Sequence, residues 1–200
     1  MIEFNSKIVE YRLADKGEVA EATPEEVIIP DDVKLPDDSP ARMKVLKTDG
    51  KKWYLTIVYH EISEQPFALF CHTNSSDKVA QTSDAIERLL LLAQRKGILS
   101  KHIDTTLEKT RSESNVGKLT RVISLLLRHG VLIKNIVSEL DKMEDIFVGS
   151  FLFQIKKFLS QYIQDGEEVE GEVCPACGSP NIVFKEGCKA CLDCNESGCG

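Results

Sequence analysis

The chain has 200 residues, 42% of them hydrophobic and 28% charged, the proportions of an ordinary globular protein of one or two domains. Its 25 Lys and Arg against 32 Asp and Glu leave a net charge of −7, which excludes a generally basic, phosphate-seeking surface and argues against nucleic acid as a partner. The longest apolar run, Leu89 to Ala93, falls far short of the roughly 20 residues of a membrane-spanning helix, and the first seven residues lack a basic start before an apolar stretch, so a cytoplasmic protein without leader or membrane span is expected.

Charge divides the chain near residue 40. Residues 1–40 carry eleven acidic and four basic side chains, whereas 41–200 carry 21 of each. Pro24-Glu25-Glu26 and the run from Pro30 to Pro40 mark residues 1–40 as an acidic N-terminal segment or linker. Ile2, Phe4, Ile8 and Val9 are β-formers, so residues 1–12 offer a strand within it.

From Met43 to His72 the pattern is β. Trp53 to His60 is dense in aromatic and β-branched residues, with Met43 to Lys47 before Asp49-Gly50 and Phe67 to Cys71 after Gln65-Pro66. Asp-Gly between two such runs is a hairpin signal, and the three runs predict an antiparallel meander.

Beyond Asp77 the period becomes helical. Ser83-Asp84 can cap a helix carrying Ile86, Leu89, Leu90 and Ala93 and ending at Gly97. A second helix is expected over Ser100 to Lys109. Leu119, Val122, Ile123 and Leu126 fall at i, i+3, i+4 and i+7 before a stop at Gly130. Ile133, Ile136, Val137 and Leu140 make a short partner helix, and Val148, Phe151, Leu152, Ile155, Phe158 and Tyr162 form a wide apolar stripe. No internal repeat is expected.

Strands followed by helices predict an α+β fold over residues 41–164, a small antiparallel sheet packed with helices. Residues 165–172, Asp165-Gly166-Glu167-Glu168-Val169-Glu170-Gly171-Glu172, read as an acidic hinge. Residues 173–200 hold six of the seven cysteines and are too short for a core of their own, so their fold requires metal.

Cys174-Pro175-Ala176-Cys177-Gly178 is a zinc knuckle. Its partner knuckle comes from Cys188-Lys189-Ala190-Cys191-Leu192-Asp193-Cys194, which offers two overlapping pairs. The residue after a knuckle's second cysteine usually needs positive φ, which Asn195 tolerates and Leu192 does not. Cys174, Cys177, Cys191 and Cys194 are therefore the favoured ligands, with Cys188 as the alternative, and Ile182-Val183-Phe184 between the knuckles completes a zinc ribbon. Two cysteines are left over. They are either incidental or a thiol pair that carries reducing equivalents, Cys188 with Cys199 or, if Cys188 and Cys191 are ligands, Cys194 with Cys199.

Leu35-Pro36-Asp37-Asp38, Gly50 to Val58, Pro66 to Phe70 and Arg121 to Val131, followed by Cys174-Pro175-Ala176-Cys177-Gly178, Glu186-Gly187-Cys188, Cys191, Cys194 and Cys199, resemble the cysteine-rich C-terminal region of adenosylcobalamin-dependent (class II) ribonucleotide reductases. The resemblance spans roughly residues 35–200. It implies a component of a ribonucleoside-diphosphate reductase that re-reduces the catalytic subunit's active-site thiols by thiol–disulfide exchange in DNA precursor synthesis, binds zinc through the same cysteine array and aids oligomer assembly. The implied partners are that catalytic subunit, a dithiol reductant and further copies of the chain. Neither the catalytic barrel nor the cobalamin site has a counterpart in these 200 residues, so adenosylcobalamin belongs to the catalytic part. Residues 98–116 look like extra length, and Asn195 stands where the family usually has glycine. A zinc-ribbon adaptor for protein or nucleic acid, with a purely structural metal, is the alternative.

Cys71, beside His72 and near His60, reads as a small buried hydrophobe at a strand end rather than a nucleophile. His102 and His129 suit surface or capping roles. Arg121, Arg128, Lys156 and Lys157 read as the solvated faces of amphipathic helices.

Overall fold

The computed structural model describes residues 38–48, 50–60, 64–73, 82–111, 113–143, 146–169 and 171–198. The strand expected within residues 1–12, the acidic segment up to residue 37 and Cys199 lie outside them. Among the described residues no helix is long and apolar enough to cross a membrane.

The chain is α+β. Strands β1 (Ala41–Thr48), β2 (Lys51–Tyr59) and β3 (Pro66–Thr73) form an antiparallel meander in the order β1-β2-β3. Thr48 pairs with Lys51, so the first connection has two residues, and Gly50 supplies the positive φ of 72° that such a turn requires. Trp53, Leu55, Ile57 and Leu69 alternate onto one face and join the helices in the main core. Val58, Phe67 and Ala68 form a small second cluster.

Helices α1 (Thr82–Arg95), α2 (Ser100–Lys109), α3 (Asn115–Arg128), α4 (Ile133–Asp141) and α5 (Phe151–Ser160) follow. α3 closes the outer edge of β3. Ser124 Oγ accepts the Leu69 N–H at 2.9 Å and lies 3.1 Å from the Leu69 carbonyl and 2.8 Å from that of Thr120, with one proton to share between them. A serine inside the helix thus satisfies edge-strand groups that water would otherwise reach.

Two helix boundaries differ from expectation. α1 begins at Thr82, which places Ser83 and Asp84 in its first turn. α5 begins only at Phe151, because Ser150 caps it by accepting the Phe153 N–H at 3.2 Å. Val148 therefore lies outside the stripe and is 75% exposed.

The structure also corrects the expectation of no internal repeat. α1 and α3 each have 14 residues, and positions from Thr82 to Arg95 have counterparts 33 residues later, from Asn115 to Arg128. Gly97 and Gly130 end the two helices at φ 78° and 71°. Ile98 N–H donates to Ala93 and Val131 N–H to Leu126, both at 3.0 Å. Arg88, Arg95, Leu99, Lys101, Ile103, Leu107 and Lys109 recur as Arg121, Arg128, Leu132, Lys134, Ile136, Leu140 and Lys142. Residues 98–116 are thus the second half of one helix pair and its link to the next.

A second sheet, β4 (Ile182–Lys185), β5 (Cys188–Cys191) and β6 (Ser197–Gly198), runs antiparallel in the order β4-β5-β6. The segment read as a hinge is bound to it. Gly166 N–H donates to the Phe184 carbonyl and Phe184 N–H to that of Glu167, both at 2.8 Å, and Val169 N–H to that of Ile182 at 2.9 Å. Its acidic side chains give it the composition of a linker while its backbone pairs as a strand would. Val169, Cys174, Ile182, Phe184 and Cys191 are buried in the same cluster as the helices, so the cysteine module shares the core of the α+β domain.

Charge fastens the join. Lys189 Nζ lies 2.7 Å from Asp141 of α4 and 2.6 Å from Glu172, and Lys156 of α5 meets Asp141 at 2.8 Å. Burial disfavours the Lys189 charge, but hydrogen bonds to Asp141 and Glu172 outweigh it and raise its pKa. The two-residue turn between β4 and β5 has positive φ at Glu186 (51°) and Gly187 (76°), and a Cβ on Gly187 would stand 3.2 Å from the Ser160 carbonyl. Gly187→Ala, combining positive φ with that approach, is expected to cost about 1–3 kcal/mol in urea unfolding. An unchanged midpoint would mean that turn and α5 yield freely.

Candidate metal centre

Two chain turns of the same design build the site. After Cys174 and Cys177 the chain turns at Gly178, φ 72°, and after Cys191 and Cys194 at Asn195, φ 59°. Gly178 N–H donates to the Cys174 carbonyl at 2.8 Å, and Asn195 N–H to that of Cys191 at 3.0 Å. Cys174 N–H reaches Ser179 and Cys191 N–H reaches Glu196, each at 2.8 Å. Asparagine reaches this conformation because its short polar side chain tolerates it.

The Sγ atoms of Cys174, Cys177, Cys191 and Cys194 lie within 4.8 Å of one another. Cys174 and Cys194 are 3.6 Å apart, as are Cys177 and Cys191, well beyond a disulfide bond and close to the roughly 3.8 Å edge of a tetrahedron whose metal–sulfur bonds are about 2.3 Å. All four are free thiols. Cys174 and Cys191 are buried, while Cys177 and Cys194 are exposed.

The thiols do not share one ionisation. The Cys194 backbone N–H leads the effects that lower Cys191 to about 7. Cys194 is favoured as thiolate by the Glu196 backbone N–H, yet the neighbouring thiols, Cys177 first, together with partial loss of hydration push it up to about 12. Four sulfurs this close ionise together only around a cation. The group can therefore bind a metal ion, and its all-sulfur donor set is compatible with zinc.

Asp193 ties the two turns together. Its carboxylate accepts from the Ser179 hydroxyl and from Asn181 Nδ2 at 3.0 and 3.2 Å, and those hydrogen bonds hold its pKa below the usual range. Leu192 N–H donates to the Asn181 carbonyl at 2.9 Å. These contacts fix one cysteine pair against the other, and the sequence reading did not single them out; a Ser and an Asn just after one knuckle, with an Asp inside the other, were the available signal.

Cys188 stands outside the group of four. It is disulfide-bonded, and it opens β5, where Cys191 is the last residue. Residues three apart on a strand face opposite sides, so Cys188 and Cys191 do not form a knuckle while that strand is intact.

The remaining candidates are not gathered here. Cys71 is a half-buried free thiol on β3 that burial pushes up to about 12, so it stays protonated and unreactive. His129 caps the C-terminus of α3 through its backbone N–H, and its ring meets that of His102 edge-on at 5.2 Å. Arg121 and Arg128 are more than a solvated face. Their guanidinium groups stack over Phe70 and Phe67 at 5.7 and 5.1 Å, because α3 lies against β3. Compared with family models, with curated proteins and with solved structures, the chain matches none of them.

Proposed function

We propose that this chain is a component of a class II-type ribonucleoside-diphosphate reductase, an accessory part that delivers electrons by thiol–disulfide exchange to a separate catalytic part and aids its assembly. One observation carries the reading: a disulfide at Cys188 beside, and distinct from, a group of four thiols. In this reading Cys174, Cys177, Cys191 and Cys194 hold a zinc ion that folds the ribbon, and Cys188 with Cys199 is the exchangeable pair. Zinc contributes no redox step of its own and frees the pair for two-electron exchange. Adenosylcobalamin and the nucleotide belong to the catalytic part.

The reading makes the reduced pair the active state. Its two thiols give up two protons and two electrons to a disulfide of the catalytic part and become the disulfide seen at Cys188; a dithiol reductant restores them. In a ribonucleotide reduction assay with a cobalamin-dependent catalytic subunit and a protein dithiol as reductant, Cys188→Ser and Cys199→Ser are each expected to abolish sustained turnover while zinc content and assembly are kept. Full turnover in either variant would contradict the shuttle.

The alternative is an adaptor whose ribbon is purely structural. The Lys189–Asp141 ion pair that fastens the ribbon to α4 favours it, and the same assay separates the two.

A further inference from the structure

A cleft of about 770 Å³ opens between the cysteine module and helices α4 and α5. Leu140, Met143 and Phe153 supply apolar side chains on its helical side, Val173 stands at its ribbon side, and Cys188 and Lys157 line it as well. Val173 is 64% exposed, and beside lining residue Ile146 the side chains of Phe147 and Val148 are 63% and 75% exposed. Exposed apolar side chains thus follow directly on a lining residue, as at a protein-binding site more than at a closed pocket for a small molecule. Its chemistry is set by the wall: Cys188 is held as a disulfide, and the group that reacts with a disulfide under mild conditions is a thiolate.

We propose that this cleft is where a dithiol protein reductant docks on the oxidised chain, with Val173 and Lys157 as the residues that select it. The inference rests on the shuttle reading above. It identifies which partner meets which state: the oxidised chain has nothing to give the catalytic part, so the occupant of a cleft lined by a disulfide is the donor. The donor's thiolate attacks Cys188 Sγ, the existing S–S bond breaks, and the sulfur formerly bonded to Cys188 leaves as a thiolate that takes up a proton. The donor's second thiolate then attacks the mixed disulfide at the donor's own sulfur and releases Cys188 as a thiol. The donor has lost two electrons and two protons, and the chain has gained both. Lys157 makes no ion pair among the described residues, unlike Lys142, Lys156 and Lys189 in the same cleft, so its charge is available to attract an incoming thiolate. Apolar contact with Val173, and with Phe147 and Val148 next to Ile146, supplies the area that a small thiol cannot use.

The test compares two reductants on the full-length, zinc-loaded, oxidised chain: thioredoxin as the dithiol protein and dithiothreitol as a dithiol too small to use that area. Val173→Glu and Lys157→Glu change exposed side chains that belong neither to the group of four thiols nor to the disulfide. Each is expected to slow reduction by thioredoxin roughly tenfold while the dithiothreitol rate stays within about twofold. A thioredoxin rate unchanged in both variants, or falling in step with dithiothreitol, would overturn the docking site and leave the shuttle standing. A disulfide that dithiothreitol reduces only with loss of zinc would overturn the shuttle itself.

Discussion

With zinc in the four-cysteine group as proposed, a chelator is expected to unfold residues 173–198 while the sheet and helices before them persist. The ribbon buries few apolar side chains, chiefly Ile182, Val183 and Phe184, and its two turns hold four sulfurs within 4.8 Å. Without a cation, four thiols in that space lose their reason to converge, and structural zinc in small modules contributes roughly 10–16 kcal/mol of apparent binding free energy. Cys174→Ser, which removes a buried thiol of that group, is expected to act in the same direction. Hydrogen exchange reads the outcome: amides of β4 and β5 lose protection and those of α1 and α3 keep it. Acid favours the same loss, because protons compete with the metal for thiolates. Protection of β4 and β5 retained without metal would show that packing on the helices suffices.

Phe151→Ala is expected to cost about 3–5 kcal/mol. Phe151 is 1% exposed, and its ring centroid lies 4.4 Å from that of Trp53, so it joins the first residue of α5 to the central strand of the sheet. Truncation leaves a cavity walled by elements that cannot close together, since the Ser150 cap fixes the start of α5. Trp53 is the single tryptophan of the chain, and its emission is expected to shift to the red as water reaches the cavity. A loss under about 1 kcal/mol in urea unfolding would mean that α5 settles onto the sheet.

The elements were legible where period and punctuation agree. The meander follows from three β-rich runs with Asp-Gly and Gln-Pro between them, and the helix expected over Ser100–Lys109 is the α2 observed. The repeat is faint in the sequence because its halves share scattered positions. Leu91 of α1, 50% exposed, answers Ser124 of α3, which is buried against the edge of β3; different surroundings drew different residues. The segment before the ribbon read as a hinge because backbone pairing leaves no trace in composition. Arg121 and Arg128 read as solvated because helical spacing does not reveal that their guanidinium groups meet the aromatic rings of β3.

The cysteine site was legible for a stereochemical reason. Of two overlapping pairs, only one ended on a residue suited to positive φ, and Asn195 adopts it. What the sequence left open was Cys188, whose exclusion from the group follows from β5 being extended from Cys188 to Cys191. That conformation depends on pairing with β4 and β6 and could not be read from spacing alone.

Native mass spectrometry of the anaerobically reduced chain, repeated after mild oxidation with peptide mapping, tests the central claim most directly. The expected result is one zinc in both states and, on oxidation, a loss of about two hydrogens mapped to a Cys188–Cys199 disulfide. Zinc expelled on oxidation, or a new disulfide among Cys174, Cys177, Cys191 and Cys194, would contradict the division between a structural metal and a separate exchangeable pair.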